Sequence, residues 1–187
     1  MKREQQSPDR LQQFYSYFSA LKPFFERSRP LLTDLEALAD FLSATAALDR
    51  LALMCLDGQG TCKKFAVWTK MDGTREIPVS QMPASLFSRL SQLGRESDPA
   101  QEWVEEAVRL AYAGPAEEMH TLALPVIHMG RRLGLAFFTK DGAAKGWTDQ
   151  EREMLATITM AMGISFSNRD REEENRVQEL VFNSMLD

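Results

Sequence analysis

The residues of this 187-residue chain best suited to soft-metal or thiol chemistry are its two histidines and two cysteines. His120 and His128 lie eight positions apart, roughly 26 Å along an extended strand, so they cannot share one metal ion without a sharp bend. Ligation of a haem or an iron ion by a single histidine is the alternative, which is disfavoured because isolated histidines are usually structural or exposed. Cys55 and Cys62 flank a turn sequence, but a zinc site normally needs four ligands at close spacings. We therefore predict no metal site, and we interpret Cys55 as a buried residue that acts as a small hydrophobic side chain.

Sequence motifs for phosphate binding and for zinc proteases are absent. Neither the P-loop pattern nor HExxH occurs, and Gly58-Gln59-Gly60 lies in a predicted hairpin rather than before a helix. The net charge is -5 and the basic residues are not clustered, which argues against direct contact with nucleic acid, whose phosphates must be neutralised. No catalytic residue is predicted.

The composition is that of a folded, soluble protein, with 44% hydrophobic and 26% charged residues. The small number of cysteines favours a reducing cytoplasm over a disulfide-forming compartment. The N-terminal sequence MKREQQSPDR is charged and lacks the apolar region of a signal peptide. No run of about 18 apolar residues occurs, so no membrane span is expected within this segment, and an anchor elsewhere in a longer parent protein is left open.

Two helices are predicted before any strand. Within residues 4–27, apolar residues recur at the three-and-four spacing of one helical stripe that must be buried. The stripe consists of Leu11, Phe14, Tyr15, Phe18, Leu21, Phe24 and Phe25. Pro30 breaks this pattern, and Thr33 with Glu36 has the spacing of a capping box, which predicts a second helix from Asp34 to Leu48.

The middle of the chain alternates between strand and helix patterns. Apolar runs predict strands at residues 50–57, 61–70, 119–128 and 133–140, with a short extended piece at 77–79. Turn sequences lie at 57–58, 71–74 and 129–132, and helices are expected at 83–93 and 99–112. Hairpin-length links imply an antiparallel sheet, and strands that are apolar on both faces imply helices on both sides. These features predict a three-layer α/β/α sandwich.

A long helix is predicted from Thr148 onwards, because Thr148 is a good N-cap residue and no helix-ending signal follows. Unbroken to Asp187, it would be about 60 Å long, whereas a body of roughly 150 residues is about 40 Å across. Its first apolar stripe, from Met154 to Ser165, is expected to pack on the sheet. A second stripe of Val177, Leu180, Val181 and Ser184 needs another partner, either the same helix of a second subunit or the helix at 4–27.

Residues 122–168 resemble the C-terminal half of a GAF domain. The resemblance rests on Pro125-Val126, Gly130, Leu133-Gly134-Leu135 and Trp147-Thr148-Asp149-Gln150-Glu151, followed by Leu155, Ile158, Ala161 and Asn168. Residues 31–70 fit the family more loosely, and residues 71–118 carry none of its motifs. The signature of cyclic-nucleotide-binding members and a bilin-attachment motif are both absent, so the ligand or cofactor is unknown.

The resemblance implies an α+β fold of the α/β/α sandwich type, with a central antiparallel sheet of about six strands. Long terminal helices would lie on one face and a small-molecule pocket on the other. The implied organisation is an N-terminal helix at 1–30, a sensory domain at 31–168 and a projecting signalling helix at 169–187. The sequence VQELVFNSMLD resembles the start of a following PAS-type domain, which suggests a longer bacterial protein of transcriptional regulation or two-component signalling.

Alternation along the predicted strand at 133–140 separates two sets of side chains. Gly134 and Ala136 are assigned to the terminal-helix face, because small residues let a helix approach closely. Leu135 and Phe137 are assigned to the pocket face, where the alternative is that they are simply core residues. Further candidates for the ligand-binding lining are Trp68, Trp103, Thr121 and Ala123.

The favoured function is a regulatory sensory domain that binds a small molecule or a partner and passes its state through the terminal helices to an output domain. One alternative is an enzyme of the methionine-sulfoxide reductase kind, although the spacing of Cys55 and Cys62 fits that arrangement poorly. The other is a ligand-free dimerisation scaffold. A homodimer is expected through Leu11, Phe14, Phe18, Val177, Leu180 and Val181.

Overall fold

The computed structural model of the chain describes residues 19, 22, 31–95, 119–142 and 146–184. Three α-helices, five strands and a short 3-10 helix at Val79–Gln81 occur within these residues. In chain order they are α1 (Leu31–Ala46), β1 (Arg50–Leu56), β2 (Cys62–Thr69), β3 (Gly73–Ile77), α2 (Ala84–Arg95), β4 (Met119–His128), β5 (Arg131–Asp141) and α3 (Asp149–Ser184).

The described strands form one antiparallel sheet in the order β3-β2-β1-β5-β4. Strands β1 and β5 are distant in sequence but pair at the centre, where Leu53 lies between Ala66 of β2 and Ala136 of β5. The sheet has five strands in the described residues, against about six expected. The predicted fold class, an α+β sandwich around an antiparallel sheet, is confirmed.

Helices cover both faces of this sheet. On one face α1 and α3 contribute Leu38 and Ile158 to a buried cluster that also contains Leu53; we call this the helix-side core. On the other face α2 contributes Leu86 to a second cluster that contains Phe65; we call this the α2-side core. The two separate cores account for strands that are apolar on both faces.

Helix α1 starts earlier than predicted. It begins at Leu31, directly after Pro30 in the sequence, rather than at Asp34. Proline favours the start of a helix, since it lacks an N–H that would have no intrahelical acceptor there. Thr33 and Glu36 therefore lie inside the helix, and the predicted capping box does not mark its N-terminus.

The inward stripe of α1 consists of Leu35, Leu38 and Leu42, which are fully buried. The helix ends at Ala46 rather than at Leu48. Ala47 has a φ of 50°, a left-handed conformation that cannot continue a right-handed helix.

Two predicted hairpin turns are present. After β1, one carboxylate oxygen of Asp57 accepts the backbone N–H groups of Gln59 and Thr61, both at 2.8 Å. Between β4 and β5, Met129 and Gly130 have φ values of 48° and 75°, as a two-residue turn of the type favoured in hairpins requires. Strand β5 therefore begins at Arg131, two residues earlier than expected.

The prediction for residues 71–79 was wrong in detail. A turn was expected at 71–74 and an extended piece at 77–79, but β3 runs from Gly73 to Ile77 and a 3-10 helix follows. Gly73 has a φ of 72°, which lets the chain reverse early and pair at once with Thr69 of β2. The helix predicted at 83–93 is present as α2.

Helix α3 is continuous over 36 residues, about 54 Å. Its first half is anchored in the helix-side core through Leu155, Ile158 and Met162. Beyond Asp170, the side chains that the structure describes are exposed, Val177 among them. The expected rod with a buried first half is therefore observed. The helices predicted at 4–27 and 99–112 lie outside the described residues, apart from Ser19 and Lys22, which are helical and exposed.

The first half of α3 meets the sheet backbone to backbone. A Cβ atom at Gly163 would overlap the carbonyl group of Ile127 in β4. Only glycine therefore allows α3 to lie this close to the strand.

No helix in the described part of the chain is long and apolar enough to cross a membrane.

We expect Gly163→Ala to lower the free energy of unfolding by about 1–3 kcal/mol, because the added methyl forces α3 away from β4. Helix propensity alone predicts the opposite sign, since alanine is favoured over glycine within a helix by about 1 kcal/mol. Urea unfolding at pH 7 measures the difference.

Ala156→Gly is the matched control, because Ala156 is exposed on the same helix. It is expected to lose only the propensity difference of about 1 kcal/mol. A Gly163→Ala protein at least as stable as the unmodified chain would show that the close contact is not required.

Candidate functional site

Four of the six predicted ligand-binding residues come together on adjacent strands. Ala123 of β4 lies opposite Phe137 of β5, and Thr121 and Leu135 flank this pair on the same face of the sheet. We call these four residues the β4–β5 floor. They lie on the face of the α2-side core, as predicted for Leu135 and Phe137.

The floor is mostly apolar, and three of its four residues are buried. Leu135 and Phe137 are each 1% exposed, whereas Ala123 is half-buried and lies at the margin of the α2-side core. Helix α2 makes its main sheet contact with β2, on the far side of β1 from the floor. The exposure of this face thus increases toward β4.

The other two predicted lining residues do not join the floor. Trp68 lies opposite Leu51, and both belong to the helix-side core, on the opposite face of the sheet. The face of Trp68 depends on the register of β2 against β1, and this register places its side chain in the core shared with α1 and α3. Trp103 lies outside the described residues.

A charged residue that the sequence analysis missed borders the floor. Arg50 begins β1 and lies opposite Thr139 of β5, on the same face as the floor. One guanidinium nitrogen donates to the sulfur of Met119 at 3.2 Å, and another lies 3.3 Å from a carboxylate oxygen of Asp141. Arg50 lies two positions before Ala52, so strand alternation places both residues on the same face. This alternation was the signal available in the sequence.

Two threonine hydroxyls complete the polar end of this face. Thr121 and Thr139 are buried, and their hydroxyl oxygens lie 3.2 Å apart, within hydrogen-bond distance. Thr139 is the direct neighbour of Arg50 across the sheet. The face therefore combines an apolar area with a cationic and hydroxyl-bearing margin, an arrangement suited to a ligand with one polar end.

The cysteines have properties unlike those of catalytic thiols. Cys55 lies in the helix-side core and Cys62 in the α2-side core, on opposite faces of the sheet. Burial raises the pKa of Cys55 to about 12 and the pKa of Cys62 to about 11. Both thiols are therefore protonated at neutral pH, whereas nucleophilic attack requires the thiolate. Burial agrees with the interpretation of Cys55 as a small hydrophobic residue.

Both histidines belong to β4. The carbonyl oxygen of His120 accepts a hydrogen bond of 2.9 Å from the indole N–H of Trp147. Among the residues described, no group of three or more His, Cys, Asp or Glu side chains is placed to hold a metal ion.

Small residues of β5 face the helices as predicted, although for a different reason at Gly134. Ala136 belongs to the helix-side core. At Gly134, an added Cβ would overlap the carbonyl group of Met54 in the neighbouring strand β1. The glycine is therefore required by strand–strand contact rather than by a helix.

Comparison with solved structures identifies this architecture. The GAF domain of an Acinetobacter phosphoenolpyruvate-protein phosphotransferase matches 86% of this chain and 95% of its own length, with a TM-score of 0.53 and 15% identity. The chain has the GAF-domain fold. A phycoerythrobilin-bound GAF domain from a cyanobacterial phytochrome matches 86% of this chain and 99% of its own, with a TM-score of 0.50 and 12% identity.

A segment of a methyl-accepting chemotaxis protein also has this fold; it matches 83% of this chain and 96% of its own, with a TM-score of 0.50 and 11% identity. No family model matches the sequence, and no curated protein matches it either. At these identities the likeness concerns the GAF fold alone.

The N-terminus of α3 is fixed on the face of the GAF sheet opposite the floor. The amine of Lys140, only 4% exposed as a residue, lies 2.7 Å from a carboxylate oxygen of Glu151 and 4.4 Å from the centre of the Trp147 ring. The second oxygen of Glu151 accepts the backbone N–H of Thr148 at 2.9 Å, and the N–H of Glu151 donates to the Thr148 hydroxyl at 3.3 Å. This is the capping box of α3.

A second group of ion pairs lies where α3 leaves the GAF body. Arg169 donates to the carboxylate of Asp34, which is fully buried in α1. The next residue, Asp170, pairs at 2.8 Å with Lys63 of β2. These ion pairs therefore hold α3 to α1 and to the β1–β2 hairpin, at the point where the exposed half of α3 begins.

We expect the Lys140–Glu151 pair to stabilise the fold only above acidic pH. Burial alone would raise the pKa of Glu151, but hydrogen bonds from Lys140 and Thr148 outweigh it and lower the pKa. The carboxylate therefore contributes stability above its unfolded pKa of about 4.3, which is lost as pH falls through the lower folded value.

Glu151→Gln should cost about 1–2 kcal/mol at pH 7, since a charged partner is replaced by a neutral one. The cost should diminish as pH falls through the lowered folded pKa of Glu151. Urea unfolding at a series of pH values measures this. Glu153→Gln, at an exposed position in the same turn, should leave the profile unchanged. A pH-independent effect of Glu151→Gln would contradict the assigned role.

Proposed function

We propose that this chain is the sensory module of a bacterial signalling protein, in transcriptional regulation or two-component signalling. A small molecule or a partner binds at the β4–β5 floor, and α3 passes the bound state to an output domain. In this proposal residues 1–30 form an N-terminal helix, 31–168 the sensory domain and 169–187 the signalling helix.

The observation that carries this proposal is the position of α3 relative to the floor. Helix α3 makes its main sheet contacts with β4 and β5, the two strands whose opposite face bears the floor. A ligand and the helix would thus lie on either side of the same two strands. The contact at Gly163 has no intervening side chain, so a change in the curvature of β4 would displace the helix directly.

The free energy that this coupling requires is small. A ligand must bind two arrangements of the sheet and α3 with different affinities, and such coupling is typically about 1–3 kcal/mol. Ion pairs such as Lys63–Asp170, in which both side chains are part-exposed, have comparable or smaller strengths, about 1 kcal/mol or less. A shift of α3 that exchanges such pairs is therefore within reach of a small ligand.

The exposed half of α3 supports a homodimer. Val177 is 53% exposed, although its stripe has the three-and-four spacing of a helix–helix contact. We propose that the same stripe of a second copy covers it, with Leu180 and Val181 completing the contact. Leu11, Phe14 and Phe18 of the first predicted helix would join this bundle.

An enzyme of the thiol-dependent reductase kind is less well supported. Cys55 and Cys62 lie on opposite faces of the sheet, and burial raises both pKa values. A reductase of that kind needs a reactive thiolate and a second thiol that can reach it. The two free cysteines agree with a reducing cytoplasm as the proposed location.

We expect native mass spectrometry of the purified chain to record a dimer at micromolar concentration. Val177→Glu should convert it to a monomer, because a carboxylate would then face the apolar stripe of the partner helix. Gln178→Glu is the matched control, since it places the same side chain one exposed position further along. A monomeric unmodified chain, or dimers of equal strength in both variants, would exclude this interface.

We expect the signal to depend on the rotational phase of α3. In the parent protein, two alanines inserted after Glu172 turn all later residues by about 200°, whereas a seven-residue helical insertion turns them by only about 20°. The first insertion should abolish or invert regulated output, and the second should preserve it. Unaltered regulation in both proteins would refute transmission through α3.

A further inference from the structure

We infer that the first half of α3 carries a second surface for self-association. Its solvent-facing side binds the same side of α3 in a second copy of this chain, with the two helices antiparallel. This surface is distinct from the β4–β5 floor and from the stripe that contains Val177, so it is independent of the function proposed above.

Six side chains of α3 repeat at alternating intervals of four and three residues, which is the spacing of a helix–helix contact. At about 100° per residue they lie within an arc of about 80°. The buried residues Leu155, Ile158 and Met162 lie on the other side of the helix, so this arc points away from the sheet. We call the six residues the α3 outer face: Glu153, Thr157, Met160, Ile164, Ser167 and Arg171.

The centre of the α3 outer face is apolar and open to solvent. Met160 is 68% exposed and Ile164 is 40% exposed, and they lie one helical turn apart, so their side chains are neighbours. Ile127 of β4 is 41% exposed and belongs to the strand segment that meets α3 at Gly163. Large apolar side chains grouped in this way are typical of a surface that another molecule covers.

The order of residue types along the α3 outer face is self-complementary. An acid, Glu153, ends the face on one side and a base, Arg171, ends it on the other, each nine positions from the midpoint at residue 162. The hydroxyl residues Thr157 and Ser167 each lie five positions from this midpoint. Antiparallel alignment of two copies about the midpoint therefore pairs Glu153 with Arg171, Thr157 with Ser167, and Met160 with Ile164 of the second copy.

The end charges select the occupant and its direction. A parallel pair of helices would place Glu153 against Glu153 at one end and Arg171 against Arg171 at the other. Like charges at facing positions are destabilising, whereas opposite charges set the orientation of a helix pair. The charge complementarity thus favours a second copy of this chain in the antiparallel orientation.

The α3 outer face and the Val177 stripe can be used at the same time. Val177 lies about 120° around the helix from the centre of the outer face. The outer-face contact is about 27 Å long and contains two large apolar side chains from each copy. Small interfaces are weak, so we expect a dissociation constant of about 0.1–1 mM, far above the micromolar range of the Val177 contact. Antiparallel pairing would then join two dimers.

Sedimentation velocity of the full chain carrying Val177→Glu, from about 10 μM to 1 mM, measures this contact apart from the other one. We expect the average mass to rise from that of a monomer toward that of a dimer. Glu153→Arg or Arg171→Glu should each weaken association at least about tenfold, because like charges then face each other at both ends of the contact.

The combined exchange, Glu153→Arg with Arg171→Glu, should restore the affinity, since both pairs are then reversed but intact. Glu76→Arg is the matched control. It makes the same change of charge at an exposed position on β3, at the other end of the described sheet from β4.

Disulfide cross-linking tests the orientation in otherwise unmodified chains. Thr157→Cys and Ser167→Cys proteins are oxidised with glutathione disulfide, each alone and as an equimolar mixture, and the unmodified chain with its buried Cys55 and Cys62 gives the background. In an antiparallel pair only the mixture brings cysteines face to face, because identical positions lie about 15 Å apart along the helices. We expect the mixture to give the cross-linked dimer.

A constant mass over the whole concentration range overturns the inference, and so does an affinity that the combined exchange fails to restore. Faster cross-linking of either single-cysteine protein with itself than in the mixture would indicate parallel helices and also overturns it. None of these results concerns the β4–β5 floor or the effect of Val177→Glu at micromolar concentration, so the proposed function stands or falls separately.

Discussion

The contact between α3 and strand β4 is the constraint on which the arrangement depends. At Gly163 the backbones of α3 and β4 meet without a side chain between them. No side chain can therefore change rotamer there to compensate for a displacement of the strand. The helix cannot move away from Ile127 without opening the helix-side core, to which Ile158 and Met162 belong. Its position therefore follows that of the strand, and the strand carries part of the floor on its other face.

Ion pairs with buried members bracket this contact along α3. Lys140 and Glu151 lie at the N-terminus of the helix, and Asp34 and Arg169 lie where it leaves the body. Breaking a buried pair by removal of one partner leaves an uncompensated charge, which is far more costly than the net gain from forming the pair. These pairs therefore select one rotational setting of α3 more than they add stability. Beyond these pairs, the rotational orientation of the exposed half of α3 is fixed by the packing of its first half.

Local patterns predicted most of this fold, whereas long-range register decided what they missed. Apolar runs located four strands, and alternation along β5 placed Leu135 and Phe137 on the face opposite Ala136. Trp68 was misassigned because its face depends on pairing with β1, which no local pattern specifies. Arg50 was missed because a charged residue at the start of an apolar run resembles a strand boundary. Its importance appears only when β1 lies beside β5.

The two ends of the proposed relay are adjacent in sequence. Asp141 ends β5 and contacts Arg50 on the floor side, whereas the preceding residue, Lys140, points to the opposite face and binds Glu151 at the start of α3. Successive residues of a strand face opposite sides, so one short piece of backbone connects the floor side of β5 with the cap of the helix. A ligand that disturbs the end of β5 would act one residue away from the anchor of α3. This route is independent of the contact at Gly163, and a ligand could therefore bias the helix both along its length and at its first turn.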